Sequence, residues 1–193
     1  MSSPALLLAS RSPRRRHLLE MLGIPHEVDP VEIDEQPRPG EDPGHYAVRL
    51  AQEKARAGSA KHPDRWVLGA DTVVVLDGAI IGKPESPAHA EEMLLRLAGQ
   101  RHRVISAIAL ARGDEVLEAC DETSVWMRSM SRDTARAYVE TGEPLDKAGS
   151  YGIQGLGAVL VERIEGDYFS VMGLPVRLVA DLMATAGIPY NFT

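Results

Sequence analysis

The sequence is poor in the features that mark secretion, membranes or nucleic-acid binding. It holds one cysteine, Cys120, among 193 residues, so no disulfide can close within the chain, and a lone thiol suits a reducing compartment. Ala119 and Asp121 offer no cation to activate that thiol, which reads as a small core residue. Aromatic residues make up only 5%, too few for a base-stacking surface. Positive charge is in deficit as well, with 21 Lys and Arg against 28 Asp and Glu and a net charge of −7. That balance argues against a nucleic-acid partner. No apolar run approaches the roughly 18 residues of a membrane span. The early "ALLLA" is too short for a signal peptide and has no basic region ahead of it. A cytoplasmic protein without membrane partners is the expectation, and the closing "NFT" glycosylation pattern is then a coincidence. The six histidines are scattered, and neither Cys/His metal spacing nor a Ser-His-Asp arrangement can be read.

Alternating strands and helices fill the rest. Ala5–Ala9 reads as a buried strand, followed by Ser12 as an N-cap and Pro13 at the first helical position. This helix runs to about Met21–Leu22 and stops at Gly23. Asp42-Pro43 opens a second helix through about Ala57, and Ser86-Pro87 a third through about Ala98. "WVLGADTVVVLDGAIIG" reads as two strands around a polar Asp71-Thr72 pair, with a turn at Asp77-Gly78. Val104–Ala111 and Val116–Met127 form a hairpin turning at Gly113-Asp114. A helix from Ser131 to about Thr141-Gly142, a strand over Ala158–Ile164 and a last helix from Pro175 to Gly187 complete the pattern. Hairpins mixed with crossovers predict a mixed sheet in one α/β domain spanning 1–193.

Four constellations could carry chemistry. "LLLASRSPRRR" places Arg11, Arg14, Arg15 and Arg16 within six residues of an acidic chain. A strand, a tight loop and a helix N-terminus suit an anion, because first-turn N–H groups lack partners and the dipole is positive there. Arg15 shares a face with Leu18, Leu19 and Leu22, and Arg16 is the bystander. The plain alternative is a solvated basic patch. Lys54 ends the stripe Ala47, Leu50, Ala51, where a lysine commonly just snorkels. Lys83 sits on a loop before Pro84, either exposed or facing an anion. Asp71 lies between apolar runs and needs a turn or a partner. One of Glu32, Asp34 and Glu35 could join it to hold a divalent metal, since magnesium takes few carboxylates. In "LDKAGSYGIQGLG" the glycines allow tight folding against a ligand, and Gln154 carries both a donor and an acceptor.

Taken together, "LLLASRSPRR", "RLAQEKA", "VLGADTVVVL", "GKP", "LDKAGSYGIQGLG" and "VMGLPV", in this order, resemble the Maf family of nucleoside triphosphate pyrophosphatases. The resemblance implies an elongated mixed β-sheet flanked by helices, two-lobed and related to the inosine triphosphatases, usually in a homodimer. It implies hydrolysis of a nucleoside triphosphate to monophosphate and pyrophosphate with a divalent cation, Mg or Mn. Carried onto matching positions, Ser10, Arg14, Arg15, Lys54 and Lys83 hold the triphosphate. Asp71 is the general base, and Glu35 with Asp71 binds the metal. The branch acting on dTTP and UTP has Arg, Thr and Gln where this chain has Arg14, Thr72 and Gln154. The 7-methyl-GTP branch has Trp, Gln and Glu there. The competing reading is a nucleotide-binding regulator of septum formation without turnover.

Overall fold

A computed structural model of the chain describes residues 6–190. Strands β1 (Leu6–Leu8), β2 (His26–Val28), β3 (Trp66–Leu76), β4 (Ala79–Ile81), β5 (Arg101–Arg112), β6 (Glu115–Met127) and β7 (Val161–Glu165) form one sheet. Its order is β2-β1-β3-β5-β6-β7, with β4 paired to β3. Strand β1 runs parallel to β2 and β3, whereas β3–β4 and β6–β7 are antiparallel. The sheet is therefore mixed, as hairpins among crossovers predict. The helices are α1 (Pro13–Met21), α2 (Pro43–Lys61), α3 (Pro87–Leu97), α4 (Arg132–Glu140), α5 (Tyr168–Met172) and α6 (Val176–Thr185). Among the described residues no helix is long and apolar enough to cross a membrane.

The chain divides into two compact units. One comprises residues 1–71, 106–121 and 173–193, the other residues 72–105 and 122–172. The first holds β1, β2, α1, α2 and α6, where Leu7, Ala9 and Val67 form an apolar cluster with Val31 against it. In the second, α3 and α4 bury Ala90, Met93, Leu94, Leu97, Ala135 and Val139 with Val74, Val104, Val125 and Met127 of the strands.

The helix starts follow their caps. Ser12, Asp42, Ser86 and Ser131 each accept a first-turn backbone N–H through the side chain, and Pro follows three of them. At the β3–β4 turn, Asp77 and Gly78 both take positive φ, 51° and 80°, as a two-residue type I′ connection requires.

Several expectations are corrected. Asp71 and Thr72 do not separate two strands, because β3 runs through them as a single 11-residue strand. Helix α2 continues to Lys61 rather than Ala57. Gly58 does not stop it: a Cβ there would meet Val67 Cγ1 at 2.7 Å, so this glycine serves close helix–strand packing. Gly155–Leu160 coils into 3-10 turns, and β7 begins only at Val161. Cys120 is exposed, because the outer half of β6 alternates at the surface rather than in a core. The short β2 and α5 carry too few residues to show a period. Ala5 and the "NFT" end lie outside the described residues.

Candidate active site

In the first unit, the α2 stripe predicted from spacing is buried: Ala47, Leu50, Ala51 and Lys54 all lie inside. Lys54 does not snorkel. Only 9% of it is exposed, and its Nζ stands 2.7 Å from both Asp71 Oδ1 and Glu35 Oε1. The two carboxylates offset the cost of burying that ammonium. Asp71 itself is buried in β3 on the face turned to α2. Gly69, two residues earlier on the same face, makes the approach possible: a Cβ there would lie 2.2 Å from Ala51 O and 2.6 Å from Ala55 N. A helix backbone pressed against a strand backbone thus fixes the Lys54–Asp71 distance.

Glu35 comes from the loop between β2 and α2, and α2 ties that loop down. Tyr46 Oη donates to Glu35 O at 2.8 Å. Arg49 binds Glu41 through two parallel bonds, Nε to Oε1 at 2.6 Å and Nη2 to Oε2 at 2.7 Å, and also reaches Gln36 O. The Arg49 guanidinium, with the backbone N–H of Arg38, pulls the Glu41 carboxyl down to about 2.

At the end of β1, Ser10 is buried and its Oγ accepts from Ser12 N–H and Arg15 Nη1. Arg15 also donates from Nη1 to Ala70 O at 2.8 Å and from Nε to Gly173 O at 2.9 Å. It therefore joins the start of α1 to the residue before Asp71. Burial lowers the Arg15 pKa from its ordinary value, while Asp71 acts to raise it. The α1 N-terminus is less open than the sequence suggests, since Pro13 has no N–H and Ser12 Oγ caps that of Arg15. Arg14 is half-buried. Arg11 and Arg16 are exposed and pair with Glu32 and Glu20. Of the acidic run, Glu35 is the member brought to Asp71.

The second unit holds Thr72, Lys83 and Gln154. Thr72 follows Asp71 and projects from the opposite face of β3. Lys83 is exposed on the loop after β4. That loop is fastened to the glycine-rich stretch by a bond from Gly149 N–H to Gly82 O at 3.0 Å. Gly149 takes φ +72° with Val74 methyls at 3.1 and 3.2 Å from a Cβ position, so no other residue fits easily. Below it, the Tyr151 hydroxyl hydrogen-bonds His102 Nε2 at 2.7 Å, and burial drops the imidazole pKa to about 4. Gln154 is half-buried. The sequence reading missed Tyr46, Arg49, Tyr138, Glu143 and Gly69. Only Gly69 left a signal, as a glycine inside an apolar strand.

Glu35 and Asp71 present hard oxygen donors that both converge on the Lys54 ammonium. No group of three or more His, Cys, Asp or Glu that could hold a metal occurs among the described residues. The donor type of Glu35 and Asp71 suits a magnesium-type ion, which keeps waters and takes phosphate oxygens, but such an ion would have to share the two carboxylates with Lys54.

The sequence profile of the family described as "Maf-like protein" matches residues 5–186. This chain belongs to the Maf family. Among its relatives, a dTTP/UTP pyrophosphatase of Symbiobacterium thermophilum is 50% identical over 184 residues, covering 95% of each chain. One from Escherichia coli O157:H7 is 47% identical over 181 residues, covering 93% of this chain and 92% of that protein. The Maf fold here is shared with a Ham1 protein from Coxiella burnetii, at TM-score 0.56 and 16% identity. The match covers 93% of this chain and 98% of that one. A Staphylococcus aureus Ham1 protein gives TM-score 0.52 at 13% identity, covering 94% and 98%.

Proposed function

We propose that this Maf protein hydrolyses dTTP and UTP to the monophosphate and pyrophosphate, with Asp71 as the base that activates water. One observation carries the reading: a buried carboxylate on β3 and a second on a tied-down loop converge on the Lys54 ammonium, with Ser10 at the end of the neighbouring strand and the Arg15 guanidinium of α1 bonded to it. The names of the relatives point to the substrate pair.

Water attacks the α-phosphorus, Asp71 accepts its proton, and the bond to the bridging oxygen breaks so that pyrophosphate leaves. Arg14, Arg15, Lys54 and Lys83 balance the charge on the phosphate oxygens, which is where most of the rate acceleration arises. Glu35 and Asp71 would hold a divalent cation, Mg or Mn, which neutralises phosphate charge when bound. Ser10 supplies a hydroxyl at the end of β1. The family resemblance supports a cytoplasmic homodimer in which residues 1–193 work as one domain. Pyrophosphate release from a panel of nucleoside triphosphates, with and without magnesium, tests the reading. Binding without release would favour a regulator of septum formation that lacks turnover.

Arg15 acts on phosphate whatever the base. Arg15→Ala should lower kcat/KM for dTTP, UTP and CTP by a similar factor, about tenfold or more, as expected for lost charge-assisted hydrogen bonds. The salt dependence of substrate binding should become shallower. An effect confined to one nucleotide would show that Arg15 reads the base.

Gln154 reads the base. Uracil and thymine offer a carbonyl beside the N3–H, and a glutamine amide can answer both in one plane. Guanine offers two adjacent donors, which suit a carboxylate. Gln154→Glu leaves the pyrimidine carbonyl facing a charged acceptor, a mismatch worth about 1–3 kcal/mol. Activity on dTTP and UTP should fall about tenfold or more, measured as kcat/KM for dTTP, UTP, CTP and 7-methyl-GTP. An unchanged dTTP to 7-methyl-GTP ratio removes Gln154 from base reading and reopens the 7-methyl-GTP alternative.

A further inference from the structure

We infer that Tyr138 and Glu143 are positioning residues: together they brace the backbone on both sides of Gln154 and so set the base discrimination of the enzyme. The inference rests on the reading of Gln154 as the base-contacting residue.

Apolar burial anchors the stretch at its flanks, through Tyr151 and Leu160, but holds little of the turn just after Gln154: Leu156 is 60% exposed and Val159 68% exposed. Polar bonds hold the turn itself. Tyr138 projects from α4, and Glu143 opens a 3-10 turn just after Gly142, whose φ of 77° turns the chain back. The Tyr138 hydroxyl donates to Glu143 Oε1 at 2.8 Å and accepts the backbone N–H of Gly152 at 3.1 Å. Glu143 Oε1 also accepts Gly157 N–H, and Oε2 accepts Leu156 N–H, both at 2.9 Å. The clamped N–H groups thus lie two residues before Gln154 and two and three residues after it.

Two glycines of the stretch exist for this contact. A Cβ on Gly155 would sit 2.6 Å from Glu143 Oε2, and one on Gly157 would sit 2.4 Å from the Tyr138 hydroxyl. Gly155 in addition takes φ +70°. The carboxylate and phenol therefore rest directly on the turn's backbone. Burial pushes the Glu143 pKa up, but the bonds from Gly157, Leu156 and Tyr138 outweigh it and hold the group below the ordinary carboxylate value. A charged acceptor with three donors is a stiff anchor, since each such bond is stronger than a neutral one. Misplacing a contacting group by about 1 Å can cost about a hundredfold in rate.

The test uses Glu143→Gln, Tyr138→Phe, Gln154→Ala and the double variant Glu143→Gln/Gln154→Ala in the full chain. The readout is kcat/KM for dTTP and CTP, with Tm measured alongside. Each brace variant should lower the dTTP-to-CTP ratio by about tenfold, the size of a lost hydrogen bond to a charged group. Hydrolysis of CTP should change little. The double variant should discriminate no worse than Gln154→Ala alone, because both changes remove one interaction. A fall in Tm with the ratio intact, or a double variant showing the product of both losses, would overturn the brace. Tyr138→Phe keeps the ring and its packing, so it carries the test if Glu143→Gln does not fold. If Gln154→Ala itself leaves the ratio unchanged, base reading by Gln154 fails and the inference falls with it. Absence of hydrolysis of any triphosphate by the unaltered protein overturns the proposed function instead.

Discussion

Asp71→Asn is expected to cut turnover by about a hundredfold to ten-thousandfold, the usual worth of a general base, while nucleotide binding survives. Asparagine keeps the size of the side chain and an oxygen that can accept from Lys54, which stands 2.7 Å from Asp71 Oδ1. The cations proposed to face the phosphates remain in place. What is lost is the ability to take a proton from water, together with the charge that, with Glu35, would hold the divalent cation. Pyrophosphate release under saturating dTTP measures the first quantity, and equilibrium dialysis with dTTP measures the second. Turnover near that of the unaltered enzyme would remove Asp71 from the base role and shift attention to Glu35.

Gly69→Ala should be damaging although it touches no substrate. The added methyl would stand 2.2 Å from Ala51 O and 2.6 Å from Ala55 N, both main-chain atoms of α2. Main chain inside a helix cannot swing aside as a side-chain tip can, so α2 must move off β3. Overpacking of this kind costs about 1–3 kcal/mol and at times more. In a chain of this length each kcal/mol lowers Tm by about 2–4 °C. Turnover should fall beyond what instability explains, because α2 carries Lys54 directly before Ala55. Thermal unfolding and kcat at a temperature well below Tm separate the two effects. A variant with the same Tm and kcat as the parent would show that the helix–strand contact does not set the site.

How much of this was legible in the sequence depends on the range of the interactions involved. Caps were legible because Ser12, Asp42, Ser86 and Ser131 act on residues two or three positions away. The Asp77-Gly78 turn was legible for the same reason. The site pieces Ser10, Arg15, Lys54 and Asp71 could be named from their types and neighbours. Their meeting could not be read, since Lys54 and Asp71 are 17 positions apart and Arg15 reaches Gly173 across 158. Asp71 misled the strand assignment because a carboxylate in an apolar run suggests a break. Only the buried ammonium opposite makes a continuous β3 tolerable. Cys120 misled for the converse reason: a small residue carries no sign of which face its strand presents. The Tyr138–Glu143 pair was invisible, because its partners are backbone N–H groups, which leave no trace in residue types.

The contacts of Lys54 also bear on which anions the site admits. Its charge is shared between two carboxylates of the protein itself, so the candidate site is not a bare positive socket. A small singly bound anion, such as inorganic phosphate, would have to compete with both carboxylates for one ammonium and could offer little in return. A triphosphate brings several charged groups that can engage several cations at once, and it can outbid them together. After cleavage each fragment carries only part of that charge. On the proposed assignment of Lys54 to phosphate binding, each product meets the same competition from Glu35 and Asp71, so these ion pairs favour release of products over their retention.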